Sequence, residues 1–107
     1  MRIIHFADNH LGAGSDRREQ DIFDGFARAV DRIIDLRPDL VINAGDLFHM
    51  VHPSNRVIAF ASEQLHRLGR EADIPTIIIS GNHDTPKQRH IGPVLAIFKD
   101  FENIHAV

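Results

Sequence analysis

Three apolar runs, Ile3–Ala7, Leu40–Ala44 and Thr76–Ile79, are short and rich in β-branched and aliphatic residues, a pattern that predicts buried strands. Between them the apolar positions recur at three- and four-residue steps, the spacing of a helix with one buried face. The first helical segment lies within Asp16–Leu36, where Ile22, Phe23, Phe26, Val30, Ile33 and Ile34 share a stripe and Pro38 stops it. The second, about Ser54–Arg70, opens on Pro53-Ser54 as an N-cap and carries Val57, Ile58, Ala61, Leu65 and Leu68. A shorter helix is expected over Gly92–Phe101, with Val94, Leu95, Ile97 and Phe98 apolar, and a further strand starts within Asn103–Val107. Strands alternating with helices predict an α/β fold whose parallel strands are joined by helical crossovers.

The three runs read as apolar on both faces, which calls for cover on both sides of the sheet. Two or three helices suffice for one side. The other side is expected to be bare, leaving a patch larger than the few hundred Å² that soluble monomers expose, and hence a dimer, a larger assembly or a marginally stable chain.

Composition narrows the class without changing the fold. At 107 residues the chain holds one modest core at most, and 43% apolar with 25% charged residues is the balance of a globular protein rather than a disordered or membrane one. No apolar run approaches the roughly 20 residues needed to span a bilayer, and the amino terminus enters a strand directly with no export pattern. The absence of Cys removes disulfides, thiolate metal sites and a Cys nucleophile together, and a cytoplasmic setting is expected. A formal charge of −3 argues against a generally basic, nucleic-acid-coating surface. Two divalent cations at a carboxylate-rich edge would reverse the local sign, so a phosphate-bearing substrate remains open.

Each run ends in a polar cluster: Asp8-Asn9-His10, Gly45-Asp46 and Gly81-Asn82-His83-Asp84. Parallel strands end along one edge, so the three clusters are expected to meet there. If the first strand persists, Asp8 and His10, two apart, project from one face. Gly45 and Gly81 let the backbone turn before Asp46 and Asn82. Any one cluster alone reads as readily as a turn or a helix cap. Three in the same topological position form a set of hard and borderline ligands: carboxylates, imidazoles and an amide oxygen.

These motifs, in this order and with these gaps, resemble the calcineurin-like metallophosphoesterase superfamily. The segments HFADNHLG, PDLVINAGDLFH and IPTIIISGNHDTP further resemble the SbcD-type DNA double-strand-break repair nucleases, and the likeness runs from Arg2 to about Val107. The resemblance implies the amino-terminal half of an αββα sandwich, with residues 1–107 a partial phosphoesterase domain, since the family's further His motifs come after the position of Val107. It implies a two-metal centre, usually manganese. Asp8 and His10 would hold the first ion, Asp46 would bridge both, and Asn82 would hold the second. His83 would be the catalytic imidazole, with His49 supporting it from a position where relatives carry Asp or His, and Asp84 would either back up the ligands or be structural.

Arg17 and Arg18 fall where family members place basic contacts to DNA, although a solvated first helical turn explains them equally well. Lys87, Arg89 and His90 divide in the same way between a phosphate contact and an exposed loop. His5, His52, His66 and His105 read as structural or surface residues, and Asn9 receives no role. The function implied is that of a Mn²⁺-dependent DNA exo/endonuclease subunit. DNA, a second copy and an SbcC-type ATPase are the implied partners, the second copy meeting helices that correspond roughly to Asn55–Leu68 and Ile91–Phe101. Activity of this short chain alone is expected to be weak or nil. The alternatives are another phosphoesterase, acting on phosphoproteins, nucleotides or small phosphodiesters, and a non-catalytic binding or assembly module.

Overall fold

The computed structural model describes residues 1–7, 9–13, 16–45, 47–49, 53–79 and 94–106, with the backbone alone of residues 16, 17, 94 and 95. Strand β1 (Ile3–Phe6) leads into α1 (Asp16–Leu36), β2 (Leu40–Asn43) and α2 (Asn55–His66). A π-helical turn (Arg67–Glu71) prolongs α2. It is followed by β3 (Thr76–Ile78), a 3₁₀ turn (Val94–Phe98) and β4 (Ile104–Ala106). All three strand pairings are parallel, and the spatial order is β1-β2-β3-β4. The expected α/β architecture with helical crossovers is therefore the observed one. Crossovers of one hand over a sheet that grows in one direction put their helices on the same side.

That side holds the core. Phe23, Phe26, Val30 and Ile33 of α1, with Val57, Ala61 and Leu65 of α2, pack in one cluster with Val41, Ile78 and Ile104 of the strands. Phe23 stacks on Phe60 with ring centroids 4.1 Å apart, joining the two helices, and Arg56 lies 5.2 Å above the Phe23 ring while pairing with Glu19. At the other end Arg67 donates to the Asp31 carboxylate. The first helix ends where Arg37 adopts φ 47°, its N–H donating to the Ile33 and Ile34 carbonyls, with Pro38 next. Arg2 Nη1 donates to the exposed Leu36 carbonyl at 2.6 Å, supplying the cation that the last turn of α1 lacks. At the start of α2 the Ser54 Oγ accepts the Val57 N–H at 3.3 Å, as the Pro-Ser signal predicts.

The opposite face of the sheet is open. Ile3 and Ile79 are 51% and 43% exposed, His5 and His105 are exposed, and Leu40, Ile42 and Ile77 are half-buried. His5, Ile42, Ile77 and His105 stand in register as one row across all four strands.

Two elements differ from the periodicity. The second helical stripe continues to Arg70, yet the α-helix gives way after His66 to the π turn. The π turn coincides with a close backbone approach: a Cβ on Gly69 would meet the Glu102 carbonyl oxygen at 2.2 Å, and Asn103 Nδ2 donates to the Gly69 carbonyl at 2.9 Å. The stripe expected over Gly92–Phe101 is helical only as the 3₁₀ turn Val94–Phe98, residues 91–93 lying outside the described set. Here Phe98 is fully buried while Ile97 stays 45% exposed, and the bonds that follow, Lys99 N–H to Ala96 and Phe101 N–H to Phe98, span three residues.

Candidate functional site

Two loops leave the carboxyl edge of the sheet side by side. Strand β1 stops at Phe6, so the strand does not persist to His10, and Asp8 lies outside the described residues. His10 instead takes φ 50°, a left-handed conformation that few non-glycine residues adopt, and Gly12 takes φ 98°. A second parallel contact then forms beyond the strands. The Leu11 N–H donates to the Leu47 carbonyl at 2.8 Å, and the His49 N–H donates to the Leu11 carbonyl at 2.9 Å. Leu11, Leu47 and Phe48 are fully buried and act as the plug that holds both loops down. Hydrophobic burial thus fixes the backbone on either side of the polar positions.

The ladder brings two predicted site residues together. The His10 and His49 rings are half-buried, with centroids 5.6 Å apart and planes at 70°. Of the pair, His10 brings an imidazole nitrogen of the kind divalent transition metals accept, and His49 stands beside it. The donor chemistry therefore fits a divalent transition metal. Asp8, Asp46, Asn82 and His83 lie outside the described residues. Among the described residues no group of three or more His, Cys, Asp or Glu stands together as a metal cluster. Arg18 is exposed on the first turn of α1, and Arg17 lies beside it with its side chain outside the described set.

The pattern of residues missed a polar bridge. Asn43, within what reads as an apolar run, is 1% exposed. Its Nδ2 donates to the Asn9 Oδ1 at 2.7 Å, and its Oδ1 accepts the Gly45 N–H at 3.2 Å. Its backbone carbonyl accepts the Ile79 N–H at 2.9 Å. One residue thus touches the segments leading to all three clusters. The available signal was the Asn itself, a poor strand former that must find partners when buried.

A cavity of about 210 Å³ lies on the same edge, lined by Leu11, Gly12, Glu19, Pro53, Ser54 and Val57. A larger groove of about 450 Å³, between Arg37-Pro38 and Ala72-Asp73-Ile74, lies at the opposite edge where the strands begin, away from this chemistry. No helix among the described residues is long and apolar enough to cross a membrane.

Comparison with known proteins agrees with the geometry. Residues 1–106 match the model of the calcineurin-like phosphoesterase family. The chain is similar to the DNA double-strand break repair protein Mre11 of Methanococcus maripaludis, with 43% identity over 102 residues, 92% of this chain and 27% of that protein. It is also similar to the proteins of the same name from Methanocaldococcus jannaschii (36% over 107 residues, 97% of this chain and 29% of that protein) and Thermoplasma acidophilum (38% over 107 residues, 97% and 28%). The chain thus spans less than a third of the length of these relatives.

Proposed function

Because the chain belongs to the calcineurin-like metallophosphoesterase family, we propose that it is the amino-terminal part of a Mn²⁺-dependent nuclease domain hydrolysing phosphodiesters in DNA. The supporting observation is the His10–His49 pair, held at the carboxyl edge by the Leu11–Leu47 ladder, with the similarity to repair proteins pointing to DNA. In this reading Asp8 and His10 would hold one ion, Asp46 would be shared with a second, and Asn82 would hold that second ion. When bound, a pair of divalent ions would supply positive charge for the phosphoryl oxygens and acidify water. His83 carries a proton to the leaving oxygen or stabilises its charge, and His49 supports it from beside His10. Arg17 and Arg18 contact the DNA backbone from the start of α1. A second copy of the chain and an SbcC-type ATPase are the partners that go with this reading.

The test begins with metal. Crystals soaked in Mn²⁺ should show an anomalous peak touching Asp46, and Asp46→Ala should lose that peak and any cleavage of linear duplex DNA together. In a chain extended to include the family's later His motifs, where cleavage can be measured, His83→Ala should keep the metal and lose about 10²–10⁴-fold in cleavage, the usual range for a positioned acid–base group. Equal metal loss in both variants would remove His83 from the catalytic role. Hydrolysis of bis(p-nitrophenyl) phosphate with no cleavage of DNA would leave a phosphoesterase and remove the nuclease.

A further inference from the structure

We propose that Asn43 and Asn9 form a positioning pair that sets the spacing between the first and second clusters and thereby the affinity of the chain for Mn²⁺. This rests on the metal reading above and adds residues that the reading leaves without a role.

A buried side-chain amide is a costly choice for a strand packed against helices, because each polar atom left unsatisfied there loses the hydrogen bonds that water would give it. An aliphatic residue would serve the core as well, as Val41 does two positions earlier. What Asn43 provides instead is two directed bonds. Their polarity is determined by the backbone: the Gly45 N–H can only donate, so Oδ1 must face it, Nδ2 must face Asn9, and Asn9 must present its own oxygen. The first bond anchors Gly45 at φ 117°, immediately before Asp46. The second holds Asn9, between Asp8 and His10, in the stretch between the end of β1 and the Leu11 ladder. Neighbours that orient metal ligands typically contribute 10–100-fold to metal affinity, about the scale expected here.

Titration of Mn²⁺ into the whole chain, with free ion read by electron paramagnetic resonance, tests the pair. Asn9→Ala and Asn43→Ala should each weaken binding by about 10–100-fold. The double variant should bind no more weakly than Asn43→Ala, because one bond joins the two side chains. Circular dichroism of Asn9→Ala should match the wild type, since Asn9 is only half-buried, so a change in affinity there is not loss of fold. Should Asn43→Ala fail to fold, Asn9→Ala decides alone. Asp46→Ala is the reference. If it binds Mn²⁺ as the wild type does, or if the wild type binds none, the metal reading fails and takes the proposal with it. If Asp46→Ala loses Mn²⁺ while Asn9→Ala binds normally, or if the two Asn effects are simply additive, the positioning pair is overturned and the metal reading stands.

Discussion

Gly69 has no room for a side chain, since its Cβ would sit 2.2 Å from a backbone carbonyl oxygen that cannot swing away. Gly69→Ala should therefore destabilise the chain by about 1–3 kcal/mol or more, the cost of overpacking a filled site. Gly25→Ala is the contrast. In mid-α1 a new methyl would meet only the Arg28 guanidinium end at 3.9 Å, and helix propensity should raise stability by about 0.5–1 kcal/mol. Urea unfolding of the two variants checks both signs, and shifts of the same sign would refute the steric account. At this scale the residue pattern was informative about chemistry and silent about support. His10 announces itself within a polar cluster that closes an apolar run, whereas His49 was picked out only by the family resemblance. Asn9 and Asn43 do not stand out, because their pairing across 34 residues exists only once β1 and β2 lie side by side.

The helices were legible for local reasons. Apolar stripes at helical period mark α1 and α2, and Pro38 and Ser54 act within a few residues of where they stand. Ser54→Ala should cost about 1 kcal/mol by removing the acceptor for the Val57 N–H, measurable as a lowered urea midpoint with an unchanged slope. A neutral result would mean that the 3.3 Å contact contributes nothing beyond what water supplies. The π turn was not legible, because Arg67–Glu71 continues the helical pattern and the groups that meet it, Glu102 and Asn103, stand more than thirty residues away. The third helix was over-read for a related reason. Four apolar residues looked like a buried stripe, but only Phe98 of the described ones enters the core and Ile97 faces out.

Across the whole molecule, the helices serve one face of the sheet and leave Ile3, Ile42, Ile77 and Ile79 on the other with little cover. The chain should self-associate or bind a hydrophobic dye such as ANS. Replacing Ile3 and Ile79 together by Thr, which keeps strand preference, should reduce both effects, as read by light scattering and dye fluorescence. A wild-type monomer that binds no dye would show that this face is adequately wetted. The strand order carries a different consequence, for how the molecule is made. Ile3 pairs with Leu40, Val41 with Thr76 and Thr76 with Ile104, closures of 37, 35 and 28 residues. Loop-closure entropy grows only logarithmically with length, so these three steps are nearly equal in difficulty, and none needs a strand synthesised later than its own partner. A nascent chain leaving the ribosome can add one strand and its crossover at a time. His10 and His49 meet as soon as the second strand docks, so that pair needs nothing from β3 or β4.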